Sequence, residues 1–160
     1  MTRAAPRTST RTAAQVTEHA RVRDQHAIEA AEDYCEAIAE LLAAGEEARV
    51  SSLARTFTLS HVTVSRVIGR LQREGYVRTA PYAPIVLTAK GRKLADASRA
   101  RHAAVLAFLL ALGVDETTAR LDAEGIEHHV SPATLAAFAA FVAGRSTTRK
   151  PAARRSSQES

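Results

Sequence analysis

The chain has few of the residues that cross-link a protein or anchor it in a membrane, so an ordinary apolar core must stabilise its fold. It contains one cysteine, one methionine and no tryptophan, and aromatic residues make up 4% of its 160 residues. The single thiol, Cys35, excludes an internal disulfide and a cysteine-type zinc site, because both need further thiols. No apolar run approaches the ~20 residues of a membrane span, and the Arg/Thr-rich start lacks the apolar stretch of a secretory signal. We therefore expect a cytoplasmic protein.

Charge is distributed unevenly along the chain, although the net charge is only +5. Residues 49–101 carry +9, whereas residues 18–48 carry −7 and residues 102–143 carry −4. Both ends are basic and poor in large apolar side chains, which predicts disordered tails at 1–19 and 144–160. A basic middle suits phosphate, and acidic flanks suit cations.

The basic middle has the element order of a winged helix-turn-helix, within a predicted DNA-binding domain at 20–91. An Ala-rich helix ending at Gly45 precedes a short helix at RVSSLARTF, a turn at 58–60 and a second helix at HVTVSRVIGRLQREG. Two β-prone runs, at 76–79 and 85–88, flank a Pro-rich loop and predict a hairpin, the wing. The second helix fits the width of the DNA major groove. A helical hairpin with a merely solvated basic face is the alternative that this segment leaves open.

The outward face of the second helix and the adjoining wing supply the candidate DNA contacts. Polar side chains near the helix start are predicted to face the bases, and arginines further along are predicted to meet phosphates. The base-facing candidates are Ser60, His61, Thr63 and Arg66, and the phosphate-binding candidates are Arg70, Arg73 and Arg78. The expected partner is double-stranded operator DNA.

The rest of the chain predicts an all-helical domain at 92–143, so the expected fold class is mainly α. A long helix ends at Gly113, Asp115 can cap the next helix, and that helix should run to about Val130. Ser131-Pro132 has the N-cap and first-turn pattern of a further helix. The large apolar side chains of that last helix are Leu135, Phe138, Phe141 and Val142. We expect a homodimer interface to cover part of this surface.

The most informative stretch is the run DAEGIEHH at 122–129. On a helix, Glu124, Glu127 and His128 are separated by three and four residues, so their side chains point to one side. Two carboxylates and an imidazole in one place suit a divalent metal of hard-to-borderline character. Downstream of a DNA-binding segment, such a site predicts a regulator that responds to a metal, and not an enzyme.

These motifs together resemble the manganese-responsive branch of the diphtheria-toxin-repressor (DtxR) family of bacterial metalloregulators. The resemblance covers roughly residues 25–143, and its strongest matches are DYCE at 33–36, VLTAKG at 86–91, Arg101-His102 and EGIEHH at 124–129. It implies a homodimer whose affinity for a palindromic operator rises when metal binds, so that metal-uptake genes are repressed.

The same resemblance implies six metal ligands, which in this family branch bind two manganese ions. The implied ligands are Asp33, Glu36, His102, Glu124, Glu127 and His128. Such ligation is oxygen-rich, and the softer sulfur-bearing side chains of the iron-type branch are absent at positions 33 and 124. This favours Mn²⁺ over Fe²⁺ or Zn²⁺, although Mn²⁺ stands lowest in the Irving–Williams order, so selectivity must come from geometry.

Two departures from the family pattern concern the DNA contacts. Phe57-Thr58 occupies the turn where such proteins often have a Leu-Gly pair. Because a β-branched residue adopts positive φ poorly, we expect an altered turn. The wing tip Pro81-Tyr82-Ala83-Pro84 also differs from the Arg/Gly-type tip expected for the family.

Three other interpretations remain open at this point. A di-metal carboxylate enzyme would show turnover or oxidation with Fe²⁺ and no sequence-specific DNA binding. A metal-independent winged-helix regulator would bind its operator equally well in chelator. An iron- or zinc-responsive regulator would keep the fold and change the effector.

Overall fold

The computed structural model describes residues 13–148, and contacts divide the chain into two compact units between Thr88 and Ala89. The first unit contains α1 (Ala13–Ala43), α2 (Val50–Thr56), α3 (His61–Arg73), β1 (Val77–Arg78) and β2 (Val86–Leu87). The second unit contains α4 (Ala89–Leu112), α5 (Glu116–Ile126), a 3-10 turn (Glu127–His129) and α6 (Pro132–Thr148). The fold is therefore mainly helical with one small hairpin, which confirms the predicted fold class.

The outer helices are longer than the sequence predicted. Helix α1 begins at Ala13 and α6 continues to Thr148, so residues 13–19 and 144–148, placed in the tails by the prediction, are helical. No glycine or proline interrupts residues 13–19, and alanine is the best helix former, which favours extension of α1. The remaining residues of the two predicted tails, 1–12 and 149–160, lie outside the described residues. No helix within residues 13–148 is both long and apolar enough to cross a bilayer.

The first unit is the predicted winged helix-turn-helix. Helices α1, α2 and α3 contribute the fully buried side chains Ile38, Leu53, Val64 and Leu71 to its core. On α3, Val64, Ile68 and Leu71 recur every three to four residues, so one face of the helix is apolar and buried. The basic side chains of α3 are consequently left on its other faces.

The turn between α2 and α3 keeps a left-handed residue although that residue is a threonine. Thr58 has φ 54°, and its N–H donates to the Arg55 carbonyl at 3.2 Å. The Leu59 N–H donates to the Ala54 carbonyl at 3.0 Å. This is the Schellman arrangement, which also ends α3 at Gly75 with φ 80°. The expectation of an altered turn is wrong, because the geometry is kept and Thr58 bears a steric cost that glycine would not.

The wing is an antiparallel hairpin in which Val77 pairs with Leu87 and Arg78 pairs with Val86. Strands of two residues form too few ladder hydrogen bonds to be stable alone. The hairpin is held because Val77, Ile85 and Leu87 are buried at its base. Side chains alternate along a strand, so Arg78 is left outside.

The second unit is built from three helices with small residues at their contact. Val105 of α4 packs against Ala119 and Ala123 of α5. Helix α6 adds Phe138, whose ring stacks on Phe108 with centroids 3.9 Å apart. The all-helical character predicted for this part of the chain is confirmed.

Both predicted N-caps of the second unit are present. The Asp115 carboxylate accepts the Thr118 N–H at 3.1 Å, and the hydrogen bonds from Thr118 lower the pKa of Asp115. The Ser131 hydroxyl accepts the Thr134 N–H at 3.2 Å, and Pro132 is the first residue of α6. These caps fix where α5 and α6 begin, on either side of the run at 122–129.

Candidate metal centre and DNA-binding surface

Three of the predicted metal ligands lie close together in the second unit. His102 Nδ1 on α4 is 2.6 Å from Glu127 Oε2 and 3.6 Å from Glu124 Oε1. One ligand atom from each of these residues can be chosen so that all lie within 4.8 Å of one another. Since ligand atoms lie on the order of 2 Å from a bound divalent metal, one ion can contact all three.

A 3-10 turn, and not a continued α-helix, carries Glu127. The sequence predicted that α5 would run to about Val130, but α5 ends at Ile126 and the next three residues form a 3-10 turn. Each residue of a 3-10 turn advances about 120° around the axis, against about 100° in an α-helix. The side chains after Ile126 are therefore rotated relative to the predicted positions. The Glu127 side chain is 3% exposed, whereas that of Glu124 is 69% exposed.

His128 lies at the edge of this cluster. Its Nε2 is 3.7 Å from Glu127 Oε1, and its side chain is 12% exposed. The structure thus brings His102, Glu124 and Glu127 together, and His128 approaches only Glu127 of these three. Its role as a ligand stays a prediction.

The electrostatics of the cluster centre on the buried Glu127 carboxylate. Burial raises the pKa of Glu127 above its ordinary value, and the neighbouring His102 opposes this by favouring the ionised form. A buried carboxylate needs a proton, a cation or a hydrogen-bonding partner to balance its charge. The cluster can therefore exchange protons for a divalent metal, whose ligands must be deprotonated.

The two other predicted ligands, Asp33 and Glu36, belong to the first unit. They are three residues apart on α1, so they lie on one side of that helix. Asp33 is exposed and Glu36 is partly exposed. The intervening Tyr34 and Cys35 are buried in the core of the unit. Metal binding by Asp33 and Glu36 stays a prediction that follows from the family motif.

Two of the predicted base-facing residues take part in the N-cap of α3, Ser60 as the cap and Thr63 as its donor. The Ser60 hydroxyl accepts the Thr63 N–H at 3.1 Å and lies 2.9 Å from the Thr63 hydroxyl. This N-cap fixes the start of α3 at His61. Base contacts by Ser60 or Thr63 would share their hydroxyls with the cap, whereas His61 and Arg66 are simply exposed on α3.

The three arginines predicted to bind phosphate have different surroundings. Arg70 is half-buried, and its Nη2 donates to the Ala27 carbonyl of α1 at 3.0 Å. Its Nε lies 3.8 Å from the Glu74 carboxylate. Arg73 and Arg78 are exposed. Arg70 therefore ties α3 to α1, and fewer of its donors are left for a phosphate than in the other two.

No sequence pattern indicated the role of Arg49. Its Nη1 donates to the Tyr82 carbonyl at the wing tip at 3.2 Å. Its Nε and Nη2 lie 2.9 and 2.7 Å from Glu47 Oε2. Because Arg49 and Tyr82 are 33 positions apart, local spacing could not have revealed this anchor.

Two family models match the chain, one in each unit. The N-terminal DNA-binding domain of the iron-dependent repressors matches residues 26–85. The metal-binding and dimerisation domain of the iron-dependent repressors matches residues 88–150. The two matches together span nearly all of the described chain.

Individual relatives agree with the family models. The chain is 43% identical to the transcriptional regulator MntR of Salmonella typhimurium over 127 residues, which are 79% of this chain and 81% of that protein. It is 45% identical to the transcriptional regulator MntR of Escherichia coli O6:H1 over 120 residues, which are 75% and 77% of the two chains.

Two solved structures are similar in fold. The manganese regulator SloR gives a TM-score of 0.63 at 27% identity, covering 71% of this chain and 53% of that one. A manganese-dependent transcriptional repressor in complex with manganese gives a TM-score of 0.62 at 30% identity, covering 71% and 52%. This chain thus spans about half the length of each of these two structures.

Proposed function

Since this chain belongs to the iron-dependent repressor family, we propose that it is a manganese-dependent DNA-binding transcriptional regulator. With Mn²⁺ bound, it represses genes for manganese uptake. The observation that carries the proposal is the grouping of His102, Glu124 and Glu127 in a chain whose other unit is a winged helix-turn-helix. The relatives named transcriptional regulator MntR, at 43% and 45% identity, support the DNA partner, and the two manganese regulators among the similar structures support the metal.

The proposed metal site uses the carboxylates and imidazoles singled out in both units, and two Mn²⁺ ions bind per subunit. The six ligands are Asp33, Glu36, His102, Glu124, Glu127 and His128. Carboxylate-rich ligation suits Mn²⁺, which is what the donor set of the cluster offers. Fe²⁺ and Zn²⁺ are the second candidates, because imidazole suits both and the matching family models are named for iron.

His102 and Glu127 set the charge balance of the site. Their closest atoms, His102 Nδ1 and Glu127 Oε2, are 2.6 Å apart, so the imidazole and the buried carboxylate are joined by a hydrogen bond. A bound divalent metal would take the place of the proton in that bond. Because the proton must leave, we expect metal affinity to rise with pH.

Ligands from both units would couple metal binding to DNA binding. Asp33 and Glu36 lie in the DNA-binding unit, and the other four ligands lie in the second unit. A ligand shifts a conformational equilibrium only by its difference in affinity for the two states. A difference of about 1–3 kcal/mol is enough to raise operator affinity about 5–150-fold.

The proposed partners are a second copy of the chain and a palindromic operator. The family model that matches the second unit describes dimerisation, and the apolar side chains of Leu110, Leu112 and Phe141 are 42%, 52% and 39% exposed there. A two-fold axis would present two copies of α3 to half-sites separated by about one helical turn of DNA.

The test is operator binding by the purified, chelator-treated protein. Binding sites are first selected from a randomised duplex library, in separate selections with Mn²⁺, Fe²⁺ and Zn²⁺. Affinity is then followed by fluorescence anisotropy at one fixed salt concentration, because protein–DNA affinity depends steeply on salt. Mn²⁺ is titrated first, then Fe²⁺ under anaerobic conditions, then Zn²⁺. We expect tight binding with Mn²⁺ and weak binding in chelator.

Each alternative predicts a different result in this assay. Equal affinity in chelator would make the protein a metal-independent winged-helix regulator. Tighter binding with Fe²⁺ or Zn²⁺ than with Mn²⁺ would reassign the effector. Failure to select any duplex under all three metals would reject the proposal, and oxidation of Fe²⁺ with turnover would then favour an enzyme.

A further inference from the structure

We propose that Tyr82, at the tip of the wing, contacts the minor groove of the DNA that borders each half-site. This inference rests on the proposed function, in which α3 enters the major groove. Tyr82 is 99% exposed, more than any other large apolar residue among the described residues. Such exposure leaves the whole side chain available to a partner.

The backbone of Tyr82 is held in an unfavourable conformation. Its φ is 63°, in the left-handed region that bulky residues rarely adopt. Such residues persist only where the surroundings hold them, and they cluster where a protein binds a ligand. Here the carbonyl of Tyr82 accepts a hydrogen bond from Arg49, whose guanidinium is in turn held by Glu47. The tip is therefore fixed in place while its ring is left uncovered.

The wing tip lies along one flank of α3. The Gln72 side chain donates from Nε2 to the Thr79 carbonyl at 3.4 Å. Between α3 and the wing lies a groove of about 390 Å³. Its lining includes Ser65 and Gly69 of α3 and Pro81 of the wing. DNA that receives α3 in its major groove would meet the wing at the edge of that groove. The neighbouring groove is the minor groove, which is about 6 Å wide and can admit a single ring.

Charge favours DNA over other partners for this tip. Arg78 is exposed on β1 of the same hairpin and can be drawn to the phosphates that line a minor groove, whereas the charge of Arg49 is balanced by Glu47. The immediate neighbours of Tyr82 are two small alanines and two prolines, which offer little apolar area for a protein interface. A single apolar ring beside basic side chains is the combination that minor-groove contacts commonly use.

The test compares two duplexes that contain the selected operator, with the full chain saturated with Mn²⁺. One duplex ends at the outer edge of each half-site, and the other continues for about 10 base pairs on each side. Tyr82→Ala should weaken binding to the long duplex about five- to tenfold, the lower end of what losing an aromatic–nucleotide contact causes. It should leave binding to the short duplex unchanged. Tyr82→Phe should bind the long duplex as tightly as the unmodified chain, because the ring makes the contact.

The salt dependence separates the ring from the charges near it. Tyr82→Ala should not change the slope of log affinity against log salt, since the ring releases no counterion, whereas Arg78→Ala should reduce the slope by about 1. Val86→Ala is the control within the wing, because Val86 is exposed on β2 and away from the tip. It should bind both duplexes as the unmodified chain does.

A direct readout comes from the scarcity of aromatic residues. The chain has three tyrosines, of which Tyr34 is buried and Tyr76 is partly buried. With 3-fluorotyrosine incorporated, three ¹⁹F resonances are expected, and Tyr82→Phe identifies that of Tyr82. The long duplex should shift this resonance and reduce its sensitivity to exchange of H₂O for D₂O, and the short duplex should not.

The outcomes distinguish this inference from the proposed function. If the unmodified chain binds no duplex, the proposed function fails and this inference fails with it. If it binds the operator but Tyr82→Ala is equally tight on the long duplex, only the inference about Tyr82 is overturned. A ¹⁹F resonance unmoved by the long duplex would overturn it as well. Loss in Tyr82→Phe as great as in Tyr82→Ala would also reject a contact made by the ring.

Discussion

The two units differ in how completely they bury their own apolar side chains. The first unit has a core of large residues that are almost fully buried: Ile38, Leu53, Val64, Leu71 and Ile85. The buried core of the second unit is two alanines with Val105 and Leu109, and Leu110, Leu112 and Leu121 stay 42%, 52% and 75% exposed. The first unit can be stable by its own packing, whereas the second leaves apolar surface and a buried carboxylate to be completed by partners.

This difference is consistent with two separate roles, in which the first unit binds DNA and the second responds to metal and to chain concentration. A unit whose core is complete keeps its shape whatever is bound elsewhere. A unit that a ligand and a second chain complete has a stability that depends on their concentrations. The contrast can be measured, because all three tyrosines lie in the first unit and the chain has no tryptophan. Near-ultraviolet circular dichroism in the tyrosine band therefore follows the first unit alone.

The largest effect is expected from the buried carboxylate of the second unit. Glu127→Gln keeps the shape of the side chain but removes its negative charge, so the Mn²⁺-induced increase in operator affinity should disappear, a loss of up to about 150-fold. Anisotropy with and without Mn²⁺ measures it, and the tyrosine signal should show that the first unit stays folded. Asp122→Asn is the matched control, because it removes the same charge from an exposed position on α5. A normal Mn²⁺ response in Glu127→Gln would remove Glu127 from the site.

The next largest effects are expected from core substitutions, whose cost in unfolding free energy should behave differently in the two units. Leu53→Ala is expected to lower the unfolding free energy of the first unit by about 2–5 kcal/mol, because Leu53 is fully buried. Urea unfolding followed by the tyrosine signal gives this loss, which should be the same at every chain concentration. Phe138→Ala is the counterpart in the second unit, where the ring stacks on Phe108 near the exposed Phe141. Its cost, followed by far-ultraviolet circular dichroism because the second unit has no tyrosine, should change with chain concentration, and the comparison breaks down if both losses behave alike.

A smaller gain is expected at the turn between α2 and α3. Thr58→Gly should stabilise the first unit by roughly 1 kcal/mol, because glycine adopts φ 54° without the steric cost of a β-branched side chain. Thr56→Gly makes the same replacement at the last residue of α2, where the Thr56 hydroxyl donates to the Ser52 carbonyl at 3.2 Å, and should destabilise the unit instead. Thermal unfolding in the tyrosine band, with and without Mn²⁺, should show the same shift in both conditions. A lower melting temperature for Thr58→Gly would mean that the turn carries no strain.

The smallest effect concerns pH. Burial raises the pKa of Cys35 to about 11, whereas an unfolded thiol ionises near about 8.5. Between about pH 8.5 and 9.5 the unfolded chain therefore loses a proton that the folded chain keeps, so the unfolding free energy of the first unit should fall as pH rises. Urea midpoints across this window measure the slope, and Cys35→Ala should flatten it. An unchanged slope in that variant would show that the thiol already ionises in the folded unit.

Local patterns predicted most of the first unit because its element ends are set by single residues. Ser60 caps α3 and Gly75 ends it, and each can be identified from the sequence alone. The bond from Arg70 to the Ala27 carbonyl joins residues 43 positions apart, so it depends on how α1 packs against α3. That packing is a property of the folded unit, and it changes what Arg70 can offer to DNA.

The candidate site was only partly accessible to the same reasoning. Helical spacing links Glu124 to Glu127, but His102 lies on another helix and was indicated only by the family resemblance. The 3-10 turn was not predicted, and Pro132 does not account for it, because a proline restricts only the residue before it, which is Ser131. Whether these side chains bind metal stays a prediction that the Glu127 variant tests.

The wing has a consequence for how the protein can evolve. Its strands are two residues long, and its buried apolar side chains, Val77, Ile85 and Leu87, all lie at its base, while Arg49 holds the tip only through a backbone carbonyl. The loop between them can therefore gain, lose or exchange residues without disturbing the core, as exposed loop tips generally tolerate. Selection can act on the tip almost independently of folding, and two descendants of one ancestral reader could come to favour different flanking DNA while keeping the same recognition helix.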